Sequence, residues 1–98
     1  MMTAAYQRDL ALVKEYLDAG ADVNARDEEG YTVLMMAAIN SGQELDKLIE
    51  QYKIVQLLVD NGVDVNAKQE NGHTALKYAR RGDLAQVIKI LKRHGAKE

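Results

Sequence analysis

The stretch that decides the fold is GVDVNAKQENGHT, at residues 62–74. Its first half has a near copy, GADVNAR, at residues 20–26, and each copy is followed by a polar turn that contains glycine and ends in threonine. Glycine suits a turn position that needs a positive φ, and threonine is a good N-cap for a helix that begins just after it. The sequence therefore predicts, twice, a turn that leads directly into a helix.

A second helix precedes each copy of this stretch. Residues 12–20, 54–62 and 87–95 align without gaps, and each segment has apolar residues three and four positions apart before a final glycine. This spacing places one apolar stripe along a helix, and a glycine at C′ ends the helix in the left-handed conformation. The repeating unit is turn, helix, helix. Gly62 to Gly95 spans 33 residues and Gly20 to Gly62 spans 42, so one copy carries nine extra residues.

The period of 33 residues, the pattern Gly-x-Thr-x-Leu-x-x-Ala at 30–37 and 72–79, and the string Gly-Ala-Asp-Val-Asn-Ala together resemble the ankyrin repeat. The resemblance covers essentially the whole chain. It implies one all-α domain, a solenoid of stacked helix-turn-helix units with short β-hairpin-like loops. We expect a partial first repeat at 1–26, a second repeat at 27–68 with a nine-residue insertion near 43–52, and a terminal repeat at 69–98. The family's Thr-Pro-Leu-His reads Thr-Val-Leu-Met at 32–35 and Thr-Ala-Leu-Lys at 74–77, without Pro or His.

The first repeat lacks its leading turn, so either Met1 begins a naturally short cap or the chain belongs to a longer array. Stacked repeats draw their stability from their neighbours. We therefore expect an exposed, self-associating apolar face at the N-terminal end, formed by Met1, Met2, Leu10 and Val13.

The insertion predicts a longer second helix. Ser41 and Glu44 have the spacing of a capping box, and an apolar stripe that begins at Leu45 continues in phase into the repeat's second helix. We expect one helix that starts near Gly42. Its stripe of Leu45, Leu48, Ile49 and Tyr52 either covers the first repeat, which we favour, or forms a ridge for docking.

Charge is unevenly distributed along the 98 residues. The net charge is −2, from 13 Lys+Arg and 15 Asp+Glu. Residues 1–76 carry 6 basic and 13 acidic side chains, whereas residues 77–98 carry 7 and 2. The basic end could attract an acidic partner, although charges at helical spacing usually form a solvated face.

Sequence motifs for catalysis are missing. The chain has no Cys, and its two histidines, His73 and His94, lie in different elements with no metal-ligand spacing. No phosphate-binding loop or nucleophile motif occurs. We therefore predict no enzyme activity, cofactor or metal. No apolar run approaches the roughly 20 residues of a membrane span, and the N-terminus has no signal-peptide pattern, so we expect a cytoplasmic protein.

The resemblance implies a non-catalytic module that binds an unidentified partner protein through hairpin tips and the concave face of the first helices. One alternative is a structural cap or a self-associating subunit of a longer array, and a remote one is binding of nucleic acid or an acidic partner through the basic end. Carried over by position, the expected contact residues are Tyr6, Gln7, Arg26, Glu28, Glu29, Tyr31, Ile39, Asn40, Lys68, Glu70, Asn71, His73, Arg80 and Arg81.

Overall fold

The computed structural model describes residues 1–39 and 45–97, and within them the chain forms helices in two layers. The front layer contains the first helix of each pair and the rear layer the second, and each helix packs on its pair partner and on the next helix of its own layer. Strand pairing in these residues amounts to one antiparallel bridge between Arg26 and Thr32. The predicted all-α stack is therefore confirmed. The front helices are α1 (Met2–Tyr6), α3 (Val33–Ala38) and α5 (Ala75–Arg81), and the rear helices are α2 (Leu10–Asp18), α4 (Leu45–Asp60) and α6 (Ala85–Arg93).

The helix boundaries follow the predicted capping residues. The Thr32 hydroxyl accepts a hydrogen bond from the Met35 amide at 3.2 Å, and the Thr74 hydroxyl accepts one from the Lys77 amide at 3.3 Å. The rear helices are followed by glycines with φ of 91°, 80° and 91°, at Gly20, Gly62 and Gly95. A side chain is disfavoured in this left-handed region, so glycine ends each rear helix at low cost.

The outer repeats share a feature of the turn between their helices, and the central repeat has a longer rear helix. In the outer repeats the turn contains a non-glycine residue at positive φ, Arg8 at 61° and Asp83 at 55°. In the central repeat the rear helix α4 has 16 residues, where α2 and α6 have 9. The proposed start near Gly42 and the Ser41–Glu44 capping box lie outside the described residues.

The extension of α4 borders the last repeat, where the sequence led us to expect a cover over the first. Leu45, Leu48 and Ile49 line a cleft whose opposite wall is formed by residues 82–87. Leu45 remains 70% exposed. Tyr52, at the end of the stripe, also lines a second cleft with Leu10 of the first repeat. The stripe is thus only partly covered, because the added turns run alongside the α5–α6 turn instead of across α2.

The core contains small aliphatic side chains from all the described helices. Alanines bring the front helices together, since Ala5, Ala38 and Ala79 are fully buried. Val13 is also fully buried, so its place on an exposed N-terminal face was predicted wrongly: it lies on the side of α2 that faces the stack. Met1, Met2 and Leu10 are partly buried against the core.

Polar side chains join consecutive repeats. Asn24 Oδ1 accepts from the Asp64 amide at 2.8 Å. At the equivalent place one repeat later, Asn66 Oδ1 accepts from the Lys97 amide at 2.8 Å and its Nδ2 donates to the Gly95 carbonyl at 3.1 Å. The repeated Asp-Val-Asn string therefore holds each rear-helix end to the next repeat. No helix among the described residues is long and apolar enough to span a membrane.

Candidate functional site

Two hairpin tips project from the front layer, and each is fixed by its own hydrogen bonds. In the first, the Asp27 carboxylate accepts from the amides of Glu29 and Tyr31, both at 2.9 Å. In the second, Asn71 Oδ1 accepts from the His73 amide at 3.0 Å. These Asx-type contacts make each tip rigid. They fix the main chain of the residue that follows the turn, which is Tyr31 in the first tip and His73 in the second.

Arg26 connects the two tips. Its Nη1 donates to the Lys68 carbonyl at 2.8 Å and to the Gly30 carbonyl at 3.3 Å. A guanidinium that bridges two main-chain carbonyls fixes their separation. Arg26 therefore has a structural role that the sequence reasoning did not assign to it.

A tyrosine cluster, defined here as Tyr31, His73, Tyr78 and Arg81, lies between the tips and the front helices. The rings of Tyr31 and Tyr78 have centroids 6.0 Å apart, and His73 meets Tyr78 edge-on at 5.7 Å. The Arg81 guanidinium carbon lies 6.0 Å from the Tyr78 ring centroid, at the limit of a cation–π contact. The three rings are partly exposed and Arg81 is exposed. The cluster thus joins the second and third repeats in one aromatic and cationic surface.

Hydrogen bonding orients the central ring. The Tyr78 hydroxyl donates to Gln69 Oε1, and the Gln69 side chain is buried. Removal from water raises the pKa of Tyr78, and Tyr31 raises it further. The phenol is therefore neutral at physiological pH, and its ring is held by a partner that solvent does not reach easily.

His73 also remains neutral near pH 7. Removal from water is the main cause that lowers the pKa of His73, and the positive charges of Lys77 and Arg81 lower it further. A neutral imidazole can donate and accept a hydrogen bond at the same time. The cluster therefore presents to a partner protein two tyrosine rings, one imidazole and the positively charged guanidinium of Arg81.

The other predicted contact residues are spread over the front surface. Ile39 is partly buried and shares a small cleft with Tyr78 and Arg81. Lys68 and Arg80 line a separate basic cleft with Lys77 and Lys97. Asn40 lies outside the described residues. Tyr6, Gln7, Glu28, Glu29, Glu70 and Asn71 are exposed on α1 or on the tips.

Tyr78 is the central residue that the sequence reasoning left out of the contact set. A signal for it exists, because Tyr78 stands one turn after Thr74 on the helix that also carries Arg81. The approach of Tyr78 to Tyr31 depends on how the repeats stack. Local sequence spacing therefore does not reveal it.

In the described part of the chain, no group of three His, Cys, Asp or Glu side chains could hold a metal ion. The arrangement of rings and guanidinium is suited to recognition, since tyrosine and arginine are enriched at protein interfaces.

Comparison with known proteins assigns the chain to a family. No curated protein matches the chain significantly. A family model for ankyrin repeats matches residues 1–98 with three copies. The match covers the whole chain and agrees with the two-layer stack, the threonine-capped front helices and the glycine-ended rear helices described above. The chain therefore belongs to the ankyrin-repeat family.

Proposed function

We propose that the protein is a non-catalytic module that binds a partner protein through its front surface, with the tyrosine cluster as the anchor. Ankyrin repeats are generally non-enzymatic protein–protein interaction modules. The observation that carries the proposal is the contact of Tyr31, beside the first tip, with Tyr78 of α5, which joins two repeats and leaves both rings partly exposed. Tyrosine and arginine are enriched at binding hot spots, and rings that are already fixed lose little entropy on binding.

Acidic and basic side chains lie at different places on this surface. Asp27, Glu28 and Glu29 form an acidic first tip, whereas Lys77, Arg80 and Arg81 lie on or beside α5. A partner with the complementary order of charges would be oriented on the face, because opposite charges across an interface fix its register.

Site-specific photocrosslinking in the source cells tests the proposal. A photoreactive phenylalanine at Tyr31 should crosslink a partner, and the same residue at Tyr16, which is 42% exposed on the rear helix α2, serves as the matched control. Affinity of the purified partner is then measured by calorimetry. Tyr31→Ala combined with His73→Ala should weaken binding at least tenfold, and Tyr16→Ala should change it less than twofold. An unchanged affinity of the double variant would contradict the proposal.

Self-association is the second candidate, and Met1, Met2 and Leu10 support it because they are only partly covered at the N-terminal end. Light scattering after size-exclusion chromatography tests it. A monomer at about 0.5 mM would remove this candidate, since typical weak dimers with micromolar Kd are assembled at that concentration.

A further inference from the structure

A groove on the rear layer is separate from the tyrosine cluster. It has a volume of about 450 Å³ and its walls come from α2, α4 and α6, so it crosses all three repeats. Neighbouring helix axes lie about 8–10 Å apart, so the groove runs roughly 20 Å from α2 to α6. We call this the rear groove.

The floor of the rear groove is apolar. Leu10, Tyr52 and Leu57 are partly buried and Ile90 is 8% exposed. These side chains already pack against the core from below. Their upper surfaces face the groove, so an occupant with an apolar face would bury them further.

The rim of the rear groove is positively charged. Lys14, Lys53, Lys89 and Arg93 line it, one or two from each rear helix, and all four are exposed. Of the groove's described residues only Asp60 carries a carboxylate, and its Oδ1 accepts a hydrogen bond from Gln56 Nε2 at 2.8 Å. The local charge is therefore positive on a chain whose net charge is −2.

We propose that the rear groove binds an acidic amphipathic helix of a partner protein. Its apolar face would lie on the floor, and carboxylates flanking that face would meet the four cations. Carboxylates three or four residues apart lie on one side of a helix, which matches a rim contributed by successive parallel helices. At 1.5 Å per residue, about 13 residues, nearly four turns, span the groove.

A helix suits the groove better than an extended strand. An extended peptide that binds by strand pairing needs free main-chain donors and acceptors at the edge of a sheet. The rear groove is lined by side chains of helices, whose main-chain groups are bonded within the helices. Binding would therefore come from apolar burial and charge, both of which a helix with one apolar face supplies.

The test uses the full chain labelled with ¹⁵N and a designed 18-residue peptide with leucines on one helical face, flanked by glutamates. We expect saturable binding with chemical-shift changes at Leu10, Tyr52, Leu57 and Ile90, and a helical signal in the bound peptide. A scrambled peptide of the same composition and a peptide with lysine in place of glutamate should bind at least tenfold more weakly.

Charge reversal identifies the surface. Lys53→Glu with Lys89→Glu should weaken binding of the acidic peptide at least tenfold. The matched control, Lys47→Glu with Lys97→Glu, reverses two exposed lysines that do not line the groove and should change affinity less than threefold. Circular dichroism confirms that both variants fold.

The inference would be overturned by equal binding of the scrambled peptide, by shifts confined to the tyrosine cluster, or by an unchanged affinity of the Lys53/Lys89 variant. Binding of phosphatidylserine vesicles or duplex DNA, tested in parallel, without binding of the acidic peptide would also overturn it, because the groove would then recognise negative charge of another class.

Discussion

Gln51 shows how one buried amide joins the two helices of the central repeat. It lies in the extended part of α4 and is 1% exposed. Its Nε2 donates to the carbonyls of Ala37 at 2.9 Å and Ile39 at 3.1 Å, at the end of α3. A single side chain thus joins the end of the front helix α3 to the rear helix α4.

Replacing this amide should be costly. Gln51→Met keeps the length of the side chain but removes the donor to the carbonyls of Ala37 and Ile39, so we expect a loss of about 2 kcal/mol in the free energy of unfolding, measured by urea denaturation. The same change at Gln56, which lies on α4 and bonds only to the Asp60 side chain, is the matched control and should cost less than about 0.5 kcal/mol. Equal losses in the two variants would show that the α3 cap contributes nothing.

His73 makes stability depend on pH. Its pKa is lowered in the folded protein by removal from water and by Lys77 and Arg81, so the unfolded state binds more protons as the pH falls through the usual histidine value of about 6.5. The contribution of His73 to stability is therefore complete above that pH and decreases below it. NMR titration should give His73 a pKa lower than that of the free residue.

Two variants separate the causes of this shift. Lys77→Gln with Arg81→Gln should move the His73 pKa upward without restoring the free value, because removal from water is the larger cause. His73→Gln should make the unfolding free energy less dependent on pH between about 5 and 7. The idea would fail if His73 titrated at or above the free value in the unmodified protein.

The first helical turn of α3 lacks the proline that would stabilise it. Val33 occupies the position after the N-cap Thr32, where proline fits a helix, and Thr32 has φ −95° and ψ 165°, the extended conformation that a following proline requires. Val33→Pro should therefore stabilise the protein by about 0.5 kcal/mol through the unfolded chain. Calorimetry should show a higher Tm.

Position within the element decides the sign of that effect. Met36→Pro on the same helix removes the Met36 amide that donates to the Thr32 carbonyl at 3.1 Å, and it should cost about 3 kcal/mol. If Val33→Pro also destabilised the protein, the family's proline would be incompatible with this copy of the repeat.

Elements with local signals were predictable from the sequence. The threonine caps and helix-ending glycines act within four residues of their own position, so their spacing revealed the helix pairs. The contact of Tyr31 with Tyr78 and the direction of the α4 extension depend on residues far apart in the chain, and no local pattern encodes them. The buried position of Val13 was missed for the same reason. The sequence pattern of an apolar residue on a terminal repeat is the same whether the residue faces the stack or the solvent.

At the scale of the whole molecule, the main helix contacts of the described residues join neighbouring repeats. Among the described residues, the helices of the central repeat pack against both outer repeats, whereas α5 and α6 pack mainly against α3, α4 and each other. Stability in such a stack is a sum of repeat and interface terms. The effect of a lesion should therefore depend on which repeat carries it.

Leu58 and Leu91 provide a matched pair for this expectation, because both are fully buried, one on α4 and one on α6. Leucine to alanine at either site should cost about 2–5 kcal/mol. In Leu58→Ala, hydrogen exchange should accelerate in all three repeats, since the central repeat supports both others. In Leu91→Ala, α5 and α6 should exchange fastest while α1 to α4 keep more of their protection. Uniform loss of protection in both variants would instead mean that the three repeats unfold as one indivisible unit.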